Sequence, residues 1–286
     1  MTVRPAMRQR RLRLGASGGG IALAWTEWGE ERAGRTVLCV HGLTRNARDF
    51  DFLAARLAAG GARVLCVDVV GRGRSDWLQD PRGYRLDTYI GQIRELLDRL
   101  ELDAVDWIGT SMGGLIALGL GARQPQRIAR LVLNDIGPFV AAAALEPIRA
   151  YLGLDLSFAD LAELEAHLRR IHVGFGPLTE AQWRHLAIHS ARREGGRLRL
   201  HYDPAIRVPF LEETAEDLDL WSAYERLSCP VLVLRGARSP VLDPATAMAM
   251  TVRGPRARLV TFAGIGHAPA LMCAEQIETV ADWLGI

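Results

Sequence analysis

The 286-residue chain contains no lysine, since all 35 of its basic side chains are arginine. This absence excludes chemistry that depends on a lysine amine. Excluded are a Schiff-base lysine, a lysine general base, the phosphate-binding lysine of a P-loop and the aldimine of pyridoxal phosphate. Any catalysis by this chain is therefore expected to proceed without a lysine amine and without pyridoxal phosphate.

Cysteines and long apolar runs are also scarce. The four cysteines (Cys39, Cys66, Cys229 and Cys273) form no C-x-x-C pair, so we expect buried thiols in a reduced cytosol rather than disulfides or a zinc site. No run approaches the roughly 20 apolar residues of a membrane span. The arginine-rich residues 1–14 lack the apolar segment of a signal peptide. A cytoplasmic protein without membrane association is predicted.

The charge balance is close to neutral, with 35 basic against 33 acidic side chains and a net charge of +2. A nucleic-acid-binding surface usually concentrates far more positive charge, so nucleic acid is not an expected partner. With 49% hydrophobic residues, the chain can build a sizeable core without disulfides or metals. A small-molecule substrate is the expected partner, and a homo-oligomer is left open.

Short β-branched runs alternate with helical stretches. The predicted buried strands are Thr36–Val40, Arg63–Val67, Val105–Ile108, Ile128–Leu133, Pro230–Leu234 and Arg258–Phe262. The predicted helices among them are Ala47–Ala59, Leu86–Leu100, Met112–Arg123, Pro244–Val252 and Ala274–Leu284. Two further segments, Leu12–Leu14 and Ile21–Trp28, flank the glycine-rich residues 16–20 and predict an edge hairpin. The alternation indicates an α/β fold whose mainly parallel eight-stranded sheet has helices on both faces.

The alternation stops after the sixth predicted strand. Residues 137–226 predict helices at Ala141–Tyr151, Phe158–His172 and Thr179–Arg192, and no buried strand. We therefore expect a helical cap at 137–226, inserted into a core of residues 1–136 and 227–286. Such an insertion would lie over the carboxyl edge of the sheet, where open α/β sheets bind ligands.

The strongest chemical signal is the G-x-S-x-G motif of residues 109–113, between a predicted strand and an apolar helix. Small flanking residues permit the sharp turn that exposes the hydroxyl of Ser111. The helix that follows offers free N–H groups where negative charge develops. The pentapeptide alone is common and can simply pack a helix on a strand. Its position favours Ser111 as a nucleophile.

Two further segments complete the pattern. His41 and Gly42 follow a buried strand, so the N–H groups of Leu43 and Met112 can converge as an oxyanion hole. We expect a structural role for the His41 ring. His267, flanked by glycine in residues 264–269, follows the last strand and can reach a serine at the sheet edge. The chain order of serine, acid and histidine favours His267 as the base over an ordinary loop histidine.

These segments, together with the turn of residues 68–75 (DVVGRGRS), resemble the α/β-hydrolase fold superfamily over nearly the whole chain, from about Ile21 to Ile286. Within it, the chain resembles capped bacterial serine esterases. The turn departs from the usual D-x-R-G-x-G-x-S pattern, since Val70 replaces its first arginine. The resemblance implies an acyl-enzyme mechanism that needs no cofactor and no metal.

The third catalytic residue is where the chain departs most from the family. Most members place an aspartate shortly after strand seven, but Ser239 and Pro240 occupy the expected positions here. Asp135, after the sixth predicted strand, resembles the placement in certain lipases and haloalkane dehalogenases. Asp243 stands before a predicted helix, where an N-cap is the simpler role. We favour Asp135, because the requirement is geometric, and keep Asp243 as the alternative.

The substrate pocket is harder to predict. His41, Gly42, Phe139 and Trp183 are candidate substrate-binding residues, although most aromatic residues of the insertion are expected to form its own core. His185 and His189 are four residues apart on a predicted helix. Because a third ligand is not evident, an exposed helix surface is favoured over a metal site.

The predicted reaction is hydrolysis of a small or medium hydrophobic ester or lactone. The alternative within the fold is a carbon–carbon bond hydrolase of ring-cleavage products. Such enzymes resemble this chain in their serine nucleophile, but they commonly carry Trp after the catalytic histidine, where Ala268 stands here. A further alternative is a hydrolase-fold protein that binds a ligand without turnover, and the missing acid after strand seven motivates it.

Overall fold

The computed structural model describes residues 6–15, 20–212 and 216–286, and its centre is an eight-stranded sheet. The strands are β1 (Met7–Arg13), β2 (Ala22–Trp28), β3 (Thr36–Val40), β4 (Arg63–Asp68), β5 (Val105–Thr110), β6 (Ile128–Asn134), β7 (Val231–Gly236) and β8 (Arg258–Phe262). Their order across the sheet is β1-β2-β4-β3-β5-β6-β7-β8. The pairs β1/β2 and β2/β4 are antiparallel, and the other neighbours are parallel.

The predicted mainly parallel eight-stranded sheet is thus confirmed, with the β1–β2 hairpin at its edge. Of the predicted turn in that hairpin, residues 16–19 lie outside the described residues. The sheet is buried on both faces, as alternate residues of β3 show: Leu38 and Val40 pack in one apolar cluster, whereas Val37 and Cys39 pack in another. Successive side chains of a strand point to opposite faces, so both faces are covered.

Ten α-helices accompany the strands in the described part of the chain. They are α1 (Asp51–Ala59), α2 (Leu86–Arg99), α3 (Met112–Arg123), α4 (Ala142–Tyr151), α5 (Leu161–Ile171), α6 (Glu180–Ser190), α7 (Val208–Glu212), α8 (Trp221–Tyr224), α9 (Pro244–Met250) and α10 (Ala274–Leu284). Helices α3 and α10 and strands β3 and β8 have the predicted bounds. The predicted helix Ala47–Ala59 begins with a 3₁₀ turn before α1. Within the described ranges, no helix is long and apolar enough to cross a membrane.

The insertion between β6 and β7 is not purely helical, because it also contains short, partly buried strands that the sequence did not predict. Its short strands Ser157–Phe158, Arg197–Leu200 and Ala191–Glu194 form a three-stranded antiparallel sheet. Another short pair joins Phe139–Val140 to Leu218–Asp219. The chain can reverse after Glu194 because the next two residues are glycines with positive φ, a conformation that glycine adopts without steric penalty.

This reversal explains one wrong helix boundary. The predicted helix Thr179–Arg192 ends at Ser190, because Ala191 and Arg192 already pair in the strand. The predicted helix at Phe158 begins only at Leu161, where the side chain of Asp160 caps it by accepting the Glu163 N–H at 2.9 Å. A capping carboxylate satisfies one of the free N–H groups at a helix start and so defines the boundary.

Candidate active site

Ser111 lies at the turn between β5, in the middle of the sheet, and α3. Its backbone has φ 51° and ψ −116°, a strained conformation for a residue with a side chain. Hydrogen bonds hold the turn on both sides: the Ser111 N–H donates to the Asn134 carbonyl at 3.0 Å, and the Ser111 carbonyl accepts from Gly114 N–H at 2.8 Å. The hydroxyl is therefore presented at the carboxyl edge of the sheet.

The two glycines of the motif allow α3 to pack directly on the strands. A Cβ at Gly113 would lie 2.0 Å from the carbonyl oxygen of Val40 in β3, and one at Gly109 would lie 2.5 Å from the Gly113 backbone. Neither position has room for a side chain without moving the helix. The motif therefore has a steric cause, and Ser111 depends on it for its placement.

His267 reaches Ser111 from the loop after β8. Its Nε2 lies 3.0 Å from Ser111 Oγ. Two contacts anchor the loop: Gly266 N–H donates to Gly174 O at 2.8 Å, and Asn134 Nδ2 donates to Pro269 O at 2.9 Å. The histidine is thus tied both to the insertion and to the end of β6.

Asp135 completes the hydrogen-bonded chain. It follows β6 with a fully buried side chain, and its Oδ2 accepts a hydrogen bond from His267 Nδ1 at 2.8 Å. The other oxygen, Oδ1, accepts the Gly236 N–H at 2.8 Å. Both carboxylate oxygens are therefore paired, which orients the plane of the carboxylate and keeps the His267 proton on Nδ1.

Asp243, the alternative acid, has a different environment. Its Oδ1 accepts the N–H groups of Ala245 at 2.8 Å and Thr246 at 3.0 Å, at the start of α9. Burial alone would raise the pKa of Asp243, but the hydrogen bonds from Thr246 and Ala245 outweigh it and hold the pKa below its usual value. Asp243 is an N-cap, and of the two candidates Asp135 is the one that contacts His267.

The His41–Leu43 loop lies beside Ser111. A Cβ added to Gly42 would be 3.7 Å from the Cβ of Ser111. The His41 ring is fully buried, donating from Nδ1 to Gly42 O at 2.7 Å and accepting Val69 N–H on Nε2 at 3.0 Å. Burial lowers the pKa of His41 to about 4, so the ring is neutral. These contacts match the structural role predicted for His41.

The predicted oxyanion donors are Leu43 and Met112. Met112 is the first residue of α3, so its N–H has no partner within the helix. Neither this N–H nor that of Leu43 donates to another group among the described residues. Both donors remain available to a ligand at Ser111.

Arg72 supports this loop and was not singled out from the sequence. Its guanidinium is fully buried and donates from Nε to Leu43 O at 2.9 Å, and from Nη1 to Val70 O at 2.8 Å and Tyr89 Oη at 2.9 Å. Such pairing offsets the cost of burying a cation. The motif at residues 68–75 predicts a turn but cannot reveal this contact, because Leu43 is distant in the chain.

A cavity of about 440 Å³ opens onto Ser111 and His267. Its wall includes the candidate substrate-binding residues His41 and Gly42, and the insertion contributes Tyr151 among other side chains. The described residues that line it do not include Phe139 or Trp183, which corrects their assignment to the pocket. Phe139 pairs within a short strand of the insertion, and the largely buried Trp183 stacks on Phe175 with ring centroids 6.5 Å apart.

His172 is a polar residue of the cavity wall that the sequence did not reveal. It is 6% exposed, and its ring stacks on Phe175 with centroids 4.5 Å apart. Burial, reinforced by the nearby Arg45, holds the pKa of His172 well below its usual range. Its ring nitrogens have no hydrogen-bond partner in residues 6–15, 20–212 and 216–286. A neutral imidazole is therefore available to a ligand in the cavity.

One group of side chains has metal-ligand chemistry. Single ligand atoms of Asp51, His185 and His189 lie within 4.8 Å of one another. However, the Asp51 carboxylate accepts Arg48 Nε at 2.8 Å, and His185 Nε2 donates to Arg48 O at 2.9 Å. Arg48 therefore already pairs with two of the three residues, with Asp51 through its guanidinium and with His185 through its carbonyl.

Comparison with known proteins places this site in context. A family model described as alpha/beta hydrolase fold matches residues 35–271. The 3-hydroxybutyrate-oligomer hydrolase of Cupriavidus necator is 42% identical over 264 residues, covering 89% of this chain and 90% of that protein. The 2-hydroxymuconate semialdehyde hydrolase of a Pseudomonas strain is 28% identical, covering 79% and 77%. A crystal structure of an alpha/beta hydrolase from Novosphingobium aromaticivorans has TM-score 0.87 and 36% identity, covering 99% and 98%.

Proposed function

Because the chain belongs to the alpha/beta hydrolase fold family, we propose that it is a serine hydrolase that cleaves small or medium hydrophobic esters or lactones. One observation carries the proposal: hydrogen bonds join Ser111 Oγ to His267 Nε2 at 3.0 Å, and His267 Nδ1 to Asp135 Oδ2 at 2.8 Å. A nucleophile, a base and an orienting acid in this geometry are the parts that acyl transfer requires.

In the proposed first step, His267 takes the Ser111 proton on Nε2 while Oγ attacks the ester carbonyl. Asp135 holds the Nδ1–H tautomer and stabilises the imidazolium that forms. The tetrahedral oxyanion is bound by the N–H groups of Leu43 and Met112. One such donor is typically worth about 2.7–4 kcal/mol of transition-state stabilisation.

In the second step, His267 gives its proton to the leaving alcohol, whose departure produces an acyl-enzyme on Ser111. His267 then takes a proton from a water molecule as its oxygen attacks the acyl group, and returns that proton to Ser111 Oγ as the bond to the acyl group breaks and the acid product leaves. Each step requires only a proton held at Nε2 and charge held at the oxyanion donors. The proposed chemistry is therefore consistent with a chain that contains no lysine.

The cavity supports a compact substrate. Its volume of about 440 Å³ is within the usual range of small-molecule sites. The relative at 42% identity is named for hydrolysis of 3-hydroxybutyrate oligomers, which supports short esters of hydroxy acids as the substrate class. We further propose that residues 137–226 act as a cap on a core of 1–136 and 227–286, since Tyr151 and His172 of the insertion line the cavity.

Hydrolysis of p-nitrophenyl butyrate tests the proposal. We expect turnover by the unmodified chain and loss of at least about a thousandfold in kcat for Ser111→Ala. Ser222→Ala is the matched control, because Ser222 is an exposed serine of α8, and it should retain full activity. Equal rates in both variants would contradict the nucleophilic role of Ser111. No turnover together with no labelling of Ser111 by a fluorophosphonate would favour ligand binding without catalysis.

The relative named 2-hydroxymuconate semialdehyde hydrolase supports a second candidate, hydrolysis of a carbon–carbon bond. The same serine, histidine and aspartate would serve that reaction. Loss of the absorbance of 2-hydroxymuconate semialdehyde, followed beside the ester assay, separates the two. We expect kcat/KM for the ester to be larger, and the reverse ranking would favour the carbon–carbon bond hydrolase.

A further inference from the structure

The charged side chains on the cavity wall have an excess of one positive charge, since Arg45 and Arg238 face a single acid, Asp49. Arg45 and Asp49 both line it and form a two-pronged ion pair, with Nε to Oδ2 and Nη2 to Oδ1 both at 2.7 Å. Arg45 also donates from Nη1 to Ser190 Oγ at 3.0 Å. This pair is internally neutral and three of the five N–H donors of Arg45 are occupied, so the pair offers an anionic ligand no net positive charge.

The two histidines buried in the wall add no positive charge. Burial lowers the pKa of His41 to about 4 and holds that of His172 well below its usual range. Both rings are therefore neutral near pH 7.

Arg238 is the remaining charged residue of the wall, and it is exposed. Its guanidinium makes no hydrogen bond or ion pair with any described residue. By contrast, many other arginines of this chain are paired with acids. The wall thus carries one unneutralised guanidinium where the cavity meets solvent.

The loop that carries Arg238 lies on the histidine side of the site. The backbone N–H of Arg238 donates to the carbonyl oxygen of Ile265 at 2.8 Å, and Ile265 lies two residues before His267. The predicted oxyanion donor Leu43 belongs to a different loop. A leaving alcohol must lie near His267 to receive its proton. This placement of the loop points to the alcohol part of the substrate as the part that faces Arg238.

We propose that Arg238 binds a carboxylate on the alcohol portion of the substrate, an inference that rests on the proposed ester hydrolysis. The substrate class would be esters whose alcohol is itself a hydroxy acid with a free carboxylate. A guanidinium suits this ligand because its planar N–H groups match the two carboxylate oxygens. A linear dimer of a hydroxy acid has such a carboxylate two carbons from the ester oxygen when the acid is a 3-hydroxy acid.

The test compares the linear dimer of 3-hydroxybutyrate as its free acid with the methyl ester of the same dimer. Cleavage of the central ester is followed by chromatography in the unmodified chain, in Arg238→Gln and in Arg258→Gln. Arg258→Gln is the matched control: it removes the same charge from an exposed arginine at the start of β8, at the opposite edge of the sheet. The readout is the ratio of kcat/KM for the acid to that for the methyl ester.

We expect this ratio to favour the acid in the unmodified chain and to fall about threefold to fivefold in Arg238→Gln, the upper part of the range for an exposed ion pair. The effect should shrink at high salt. An unchanged ratio in Arg238→Gln, or an equal fall in Arg258→Gln, would overturn the inference. If neither ester nor p-nitrophenyl butyrate is cleaved by the unmodified chain, the proposed function itself has failed, which is a distinguishable result.

Discussion

Asp135 contacts His267 through a hydrogen bond of 2.8 Å between Oδ2 and Nδ1, although the two residues lie after different strands of the sheet. The parallel strands β6 and β8 end at the same sheet edge, and β7 lies between them. The Asp135 carboxylate therefore lies at the end of β7, where its second oxygen accepts the N–H of Gly236, the last residue of that strand. His267 thus has a carboxylate partner although Ser239 and Pro240 occupy the loop positions where the family usually places an aspartate.

Replacement of Asp135 by Asn should preserve the shape of the site but remove the charge that holds the His267 tautomer. We expect kcat to fall by about a thousandfold to ten-thousandfold, with a much smaller change in KM. Steady-state kinetics with p-nitrophenyl butyrate measure this effect. Full activity in Asp135→Asn would show that another group orients His267.

Asp243 should affect stability rather than catalysis. Asp243→Ala removes the acceptor for two N–H groups at the start of α9 and should lower the free energy of unfolding by about 1 kcal/mol. Asp243→Asn, which keeps a capping oxygen, should lose little. Urea unfolding measures both variants, and kcat should match that of the unmodified chain. A thousandfold loss of kcat in a folded Asp243→Ala variant would instead identify Asp243 as the catalytic acid.

His172 should make stability depend on pH. Because its pKa in the folded chain lies below the usual 6.5, the folded chain binds fewer protons than the unfolded chain below about pH 6.5. The contribution of neutral His172 to the free energy of unfolding is therefore fully present above that pH and is lost as the pH falls. In His172→Phe the free energy of unfolding should fall less steeply from pH 6.5 downward, by up to about 1.4 kcal/mol per pH unit. Parallel urea-derived stability curves for the two proteins would contradict this prediction.

Gly113 should not tolerate a side chain. The Cβ of Gly113→Ala would lie 2.0 Å from Val40 O, so α3 would have to move, and we expect a stability loss of about 3 kcal/mol or more. Gly91→Ala is the matched control in helix α2, where a Cβ would meet nothing within 4 Å. It should stabilise the chain by up to about 1 kcal/mol. Thermal unfolding of both variants gives the comparison, and similar melting temperatures would refute the steric account of the motif.

Much of the core fold could be predicted from the sequence, because buried β-branched runs and amphipathic helices carry strong periodic signals. Helix α3 and strand β3 have the predicted bounds, and the family resemblance is confirmed by the match over residues 35–271. The insertion was predicted less well. Its strands are short and polar, so their alternation is weak, and residues 191 and 192 continue a helical pattern until the glycine turn reverses the chain.

Some residues of the candidate site could also be predicted from the sequence, whereas others could not. Ser111 and Asp135 follow strands directly and His267 lies in the loop after β8, so their meeting at one sheet edge could be expected from chain position. His172 and Arg72 could not be identified from chain position, because their roles depend on packing between segments that are distant in the chain. Phe139 and Trp183 were assigned to the pocket by residue type alone. Residue type does not tell whether an aromatic side chain of an insertion faces the cavity or its own core.

The proposed reaction depends on Ser111 as an activated nucleophile. Its most direct test is the mass of the intact chain after treatment with a fluorophosphonate, followed by mapping of the modified peptide. We expect one adduct per chain, located on Ser111, formed by the unmodified chain and by Ser222→Ala but absent from Ser111→Ala. An unmodified mass, or an adduct on a different serine, would contradict it.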